Sequence, residues 1–136
     1  TPVMSDIASD TILMEEIKGK ILTENLNEEA VYKSGQVIGK LHAAGIVHGD
    51  LTTSNIILRE KDGICVLIDF GLAQVSSEIE QRGVDVHVLF QTFESTAPER
   101  ADTLKTAFVA GYTDTFVEAD KVIAREHEIE LRGRYL

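Results

Sequence analysis

The chain is 136 residues long, 43% hydrophobic and 26% charged, with 10 glycines, 2 prolines, a single cysteine and no tryptophan. That size suits one domain with a buried core, and the composition excludes collagen-like and disordered chains. Lys and Arg number 13 against 23 Asp and Glu, a formal charge of −10; each of the segments 1–47, 48–71, 72–100 and 101–136 carries −2 or −3, which disfavours direct nucleic-acid binding, since that affinity comes from cations neutralising phosphates.

No apolar run approaches the roughly 20 residues that span a bilayer, and Thr1-Pro2-Val3-Met4-Ser5-Asp6 lacks the layout of a signal peptide. Cys65, the lone cysteine, can form no internal disulfide. The expectation is a soluble, intracellular chain without a membrane partner.

In chain order, Thr11 to Ile17 reads as a buried strand passing into a connection, and Lys18-Gly19-Lys20 as a break. Asn27 followed by Glu28 and Glu29 starts a helix running to about Ala44, with Val31, Ser34, Ile38, Leu41 and Ala44 inward and Gly45 stopping it. Ile46-Val47 precedes a polar stretch from His48 to Asn55. Ile56-Ile57-Leu58 and Ile64 to Ile68 then make a hairpin turning at Asp62-Gly63, with Cys65 a buried small hydrophobe in the central strand. Beyond Gly71 the chain reads as irregular to about Gly83. Helices follow from Val84 to Phe93, Thr103 to Phe116 and Glu118 to about Leu131, giving the second half the character of a helical bundle.

The polar loop reads His48-Gly49-Asp50-Leu51-Thr52-Thr53-Ser54-Asn55, and the far hairpin strand ends Ile68-Asp69-Phe70-Gly71. A carboxylate, an amide five residues on and a second carboxylate after the hairpin place three oxygen-bearing side chains at one end of it. Phosphoryl transfer from Mg-ATP uses that set: hard oxygen ligands for magnesium and a carboxylate to orient the attacking hydroxyl. Taken singly, Asp50 and Asn55 could simply cap turns and Asp69 end a strand; the joint spacing favours chemistry. Gly71 is expected to let the chain turn sharply away from the metal site.

This pattern resembles the protein-kinase superfamily, His-Arg-Asp, then Asn, then Asp-Phe-Gly. The resemblance implies Asp50 as the base or orienting residue, Asn55 and Asp69 as magnesium ligands, and His48 as a brace for the loop. Leu13-Met14-Glu15-Glu16-Ile17 resembles the strand and hinge that hold adenine, with Met14 as gatekeeper, Glu15 and Ile17 reading the purine edge, and Ile57 and Ile68 under and behind the base; plain core roles are the competing account of these residues.

Departures narrow the likeness. Gly49 stands where ordinary kinases carry Arg, and Thr52 where many carry Lys. Asp85 follows Gly71 by only 14 residues, too few for a long activation segment, and is read as the buried carboxylate supporting the catalytic loop. Ala97-Pro98-Glu99 spells the end of an ordinary activation segment, but without the Trp-containing helix that should follow it is read as a link between helices. With Gly83-Val84-Asp85 and the terminal Leu131-Arg132-Gly133-Arg134, the whole closely resembles the atypical serine/threonine kinase of the KEOPS (EKC) complex, the p53-related protein kinase family.

That resemblance implies an α+β, mainly α, kinase C-lobe over 18–136, with 1–17 as the last N-lobe strand and hinge. It further implies ATP and Mg2+ as cofactors and a kinase or ATPase supporting threonylcarbamoyl modification of tRNA adenosine. The partners would be the sugar-kinase-fold catalytic subunit and other KEOPS subunits, in the cytoplasm and also the nucleus, with tRNA met mainly through partners. Arg132 and Arg134 are the candidates for a tRNA contact of the chain's own, or simply C-terminal arginines. The 136 residues contain no glycine-rich loop, strand lysine or helix glutamate, and the chain opens on Thr1, so it reads as a fragment with little turnover alone. A small-molecule kinase of the aminoglycoside or choline type and a non-catalytic docking scaffold are the alternatives. Of the remaining histidines, His42 and His127 read as surface or satisfied residues on helices, and His87 as lying on a mostly apolar helix without a second metal-type partner; no zinc spacing exists.

Overall fold

The computed structural model describes residues 18–135, so the strand expected at 11–17 and the hinge residues Met14, Glu15 and Ile17 lie outside the described residues. Five short strands and four helices follow one another: β1 (Gly19–Ile21), α1 (Glu28–Ala43), β2 (Ile46–Val47), β3 (Ile56–Arg59), β4 (Cys65–Leu67), β5 (Gln74–Val75), α2 (Ile79–Thr96), α3 (Ala101–Thr115) and α4 (Ala119–Tyr135). Among the described residues no helix is long and apolar enough to cross a membrane.

The first helix forms where its capping residues place it. Asn27 is extended, its side chain accepts the Ala30 N–H at 2.9 Å, and Glu28 and Glu29 sit at the positive end of the dipole. Gly45, at φ +80°, ends it with its N–H on the His42 carbonyl. The buried face differs in detail from the expected one: Ile38 and Val31 are fully buried and Ser34 with them, but His42 takes the place expected for Leu41 and Ala44, the latter being exposed. The helix rolls towards His42 because α3 packs against its glycine face. A Cβ on Gly35 would stand 2.3 Å from the Phe108 carbonyl oxygen, and one on Gly111 2.0 Å from that of Tyr32, so the two backbones touch where no side chain fits.

Three strands pair antiparallel in the order β1-β3-β4, with Ile21 opposite Ile57 and Ile57 opposite Val66. The Lys18-Gly19-Lys20 segment is therefore not a break: Gly19 opens β1, where a Cβ would lie 2.3 Å from the Leu58 carbonyl oxygen. The hairpin turn is as read, Gly63 at φ +72° and Asp62 accepting from the Ile64 N–H and from Arg59, which holds the Asp62 carboxyl below its usual range. Cys65 lies on β4, at the end of this sheet's order rather than its centre; it is buried, and burial pushes its thiol up. A second sheet of two strands, β2 with β5, was not legible in the chain: Gln74 and Val75 are exposed and pair with Val47 and Ile46 only because the fold returns there.

The helical half agrees in number and differs in bounds. α2 begins five residues before Val84, because Arg82, polar and thus outside the apolar pattern, is buried by tertiary contacts. Its guanidinium donates to the His42 carbonyl at 2.9 Å, lies 4.9 Å from the Phe116 ring centre and faces Glu118. Ala97-Pro98-Glu99 is indeed the link between α2 and α3. Phe90, Phe93, Phe108, Tyr112 and Phe116 fill the core between helices, and α4 runs past Leu131 through the Arg132-Gly133-Arg134 tail.

Candidate functional site

The loop between β2 and β3 carries His48, Asp50 and Asn55, and the end of β4 delivers Asp69. Antiparallel pairing of β3 with β4 puts Ile56 opposite Leu67, so Asn55 and Ile68 are neighbours, and the Ile68 N–H donates to the Asn55 carbonyl at 2.9 Å. The Asn55 amide donates to the Asp50 carbonyl at 2.9 Å and to the Asp50 carboxylate at 3.2 Å. With its nitrogen committed to Asp50, the Asn55 side-chain oxygen remains available to a cation. Asp50 and Asn55 are half-buried, whereas Asp69 is exposed and makes no side-chain cap.

Asp69 sits at φ 60°, ψ 66°, the one non-glycine residue with positive φ among those described. Aspartate tolerates this left-handed region better than most residues, and such strain concentrates at functional sites. The finding corrects the role expected of Gly71: the sharp turn is made by Asp69, and Gly71 has no positive φ and room for a Cβ. Ile57 and Ile68 flank the cluster, both half-buried.

His48 braces the loop on both sides. Its Nδ1 accepts the Asp50 N–H at 3.1 Å and its Nε2 donates to the Ile68 carbonyl at 2.8 Å, which assigns the proton to Nε2 and ties the two carboxylate-bearing segments through one neutral ring. The Phe70 ring packs 4.8 Å from it. Gly49 answers a steric demand: at φ +90°, a Cβ there would lie 2.3 Å from the Leu72 carbonyl oxygen.

Asp85, on α2 and only 3% exposed, holds this loop from behind. It accepts the His48 N–H at 2.8 Å, the Gly49 N–H at 3.0 Å and His42 Nε2 at 2.9 Å. His42 in turn meets the Tyr112 hydroxyl at 2.6 Å through Nδ1. Burial pushes the Tyr112 phenol up, so it stays protonated and donates, leaving the His42 proton on Nε2 for Asp85. Sequence reasoning missed His42 and Tyr112, which lie 70 residues apart on α1 and α3. The one available signal was a histidine at the helical spacing of the buried face.

One further reading changes. His87 does have carboxylate neighbours, Glu126 at 3.1 Å and Glu130 at 3.9 Å, because α4 packs against α2. Arg132 pairs with Glu80 at 2.9 Å and Arg134 with Glu130 at 2.9 Å, so both tail arginines have acidic partners within the chain. Arg132, with Arg125, holds the Glu80 carboxyl below its usual range.

Comparisons with known proteins place this geometry. Residues 3–112 match the protein kinase domain family. The chain is 61% identical over 136 residues to a protein of Methanoculleus marisnigri named as a probable bifunctional tRNA threonylcarbamoyladenosine biosynthesis protein, and 56% identical over 136 residues to one of the same name from Methanospirillum hungatei. It covers all of itself but 25% and 26% of those relatives, about a quarter of their length. It is also 39% identical to a probable serine/threonine-protein kinase BUD32 homolog of Archaeoglobus fulgidus, spanning 68% of that protein. Among solved structures, WaaP in complex with acyl carrier protein aligns with 76% of this chain and 48% of its own at TM-score 0.56 and 21% identity, a likeness of fold.

Proposed function

Since the chain belongs to the protein kinase domain family, in the group of the Bud32 kinase homologs, we propose that it supplies the catalytic-loop half of a Mg-ATP-dependent atypical serine/threonine kinase or ATPase supporting threonylcarbamoyladenosine modification of tRNA. The names of its relatives support the tRNA context. The observation that carries the catalytic reading is the joining of Asp50, Asn55 and Ile68-Asp69 into one cluster by the Asn55 amide and carbonyl.

In this reading Asn55, through its side-chain oxygen, and Asp69, through its exposed carboxylate, hold magnesium. The all-oxygen donor set fits that hard cation, which when bound neutralises charge on the phosphates. Asp50 orients the attacking hydroxyl or water, its carboxylate held by the Asn55 amide and its backbone by His48. Met14, Glu15 and Ile17 read adenine, with Ile57 and Ile68 beside the base. The partner is the sugar-kinase-fold subunit of the KEOPS complex, and tRNA is met through it, in keeping with the charge of −10.

The test is Asp69→Ala in the full-length protein. ATP turnover and tRNA modification both fall by at least two orders of magnitude; if both persist at the parent level, the catalytic reading fails and a docking scaffold replaces it.

A further inference from the structure

We propose that His87 of α2 and Glu126 and Glu130 of α4 form a binding site for a borderline divalent cation of the zinc type, which clips the two helices together. The three side chains come from helices that pack side by side, and one ligand atom of each lies within 4.8 Å of the others. His87 Nδ1 stands 3.1 Å from Glu126 Oε2 and 3.9 Å from Glu130 Oε2. Bonds of about 2.1 Å in tetrahedral array put ligand atoms about 3.4 Å apart, so the observed spacings bracket what a bound ion needs.

Charge and burial point the same way. Glu126 is 8% exposed, and Glu130 follows it by one helical turn, so two like charges face one place. A neutral His87 can satisfy one carboxylate by hydrogen bonding, and Arg134 reaches Glu130 only at Oε1, whereas a divalent cation neutralises both carboxylates at the point where they face each other. Arg134 Nε donates to Glu130 Oε1 at 2.9 Å, and this contact turns the other oxygen, Oε2, towards His87. Outer contacts of this kind commonly orient ligating carboxylates. The imidazole nitrogen selects zinc or a similar ion over magnesium and calcium, and three protein ligands leave a fourth position for water. His87 lies two residues past Asp85 on the same helix, so the clip would stiffen the element that supports the catalytic loop.

The full-length protein, stripped with chelator, is titrated with Zn2+ in excess Mg2+, and bound metal and thermal unfolding are measured for the parent, His87→Gln, Glu130→Gln and Asp69→Ala. The parent and Asp69→Ala each bind one equivalent of zinc that His87→Gln lacks. Glu130→Gln, a substitution at the partly exposed rim that keeps the fold by circular dichroism, raises the zinc Kd by about tenfold or more. Zinc raises the melting temperature of the parent and not that of His87→Gln. Equal stoichiometry and affinity in the parent, His87→Gln and Glu130→Gln would overturn the proposal, as would loss of the same equivalent in Asp69→Ala.

Discussion

Replacing Asp85 by Asn tests how the loop that carries Asp50 is held. The carboxylate takes three donors in a site 3% exposed: the N–H groups of His48 and Gly49 at 2.8 and 3.0 Å, and His42 Nε2 at 2.9 Å. An amide of the same shape has one oxygen. If its nitrogen takes the place of Oδ1 it faces the Gly49 N–H, donor against donor; if it takes the place of Oδ2 it faces the His48 N–H instead. In either orientation one backbone N–H of the loop loses its acceptor, and in the second His42 Nε2 loses its acceptor as well unless its proton moves to Nδ1 and the Tyr112 hydroxyl turns from donor to acceptor. A charge-assisted hydrogen bond contributes about 1.5–3 kcal/mol, and a buried donor left unmade costs about 1–3 kcal/mol, so Asp85→Asn should lose about 2–4 kcal/mol. Urea unfolding of the full-length protein reads this as a lower midpoint at unchanged slope. On the proposed role of Asp50, carried by this loop, kcat should fall while the KM for ATP moves little. A variant within about 0.5 kcal/mol of the parent, with kcat intact, would refute the inference that Asp85 positions the loop.

Two other substitutions probe the remainder of the fold. Gly111→Ala puts a Cβ 2.0 Å from the Tyr32 carbonyl oxygen and 3.0 Å from the Gln36 nitrogen, backbone atoms that yield only if α1 and α3 part. Overpacking of about 1–3 kcal/mol or more should outweigh the ~1 kcal/mol that alanine gains in a helix, whereas Gly133→Ala, with nothing within 4 Å, should gain up to about 1 kcal/mol. The two urea midpoints should move in opposite directions, and a gain at both positions would sink the close-packing argument. Glu80, held below its usual range by Arg132 and Arg125, contributes stability that is fully present above the ordinary glutamate pKa and is lost as pH falls through the lowered one. Glu80→Gln should therefore flatten the acid side of the stability profile between the ordinary value and the lowered one. High salt should shrink the difference, because the cluster is at the surface; an unchanged acid limb would count against the pairing.

Local chemistry made much of this molecule legible in the chain. Asn27, the two glutamates after it and Gly45 mark both ends of α1 because caps act within one turn. The hairpin was legible because Asp62-Gly63 demands a tight turn between two apolar runs. From that hairpin the joining of Asn55 to the strand end Ile68-Asp69 follows, since antiparallel register fixes which loop ends are neighbours.

What the chain by itself determined is thus the joining of Asp50 and Asn55 to the Ile68-Asp69 strand end and the order of its helices, all set by contacts between residues close in sequence. The tertiary structure alone decided the rest. Arg82 belongs to α2 because Phe116 and the His42 carbonyl bury it; Gln74 and Val75 form a strand because β2 lies alongside; the left-handed turn falls on Asp69 rather than Gly71. The line from Tyr112 through His42 to Asp85, and the meeting of His87 with Glu126 and Glu130, join residues 70, 43 and 39 positions apart. No periodicity encodes such pairs, because which helix faces which is fixed only when the glycine faces of α1 and α3 close on one another and α4 folds back along α2.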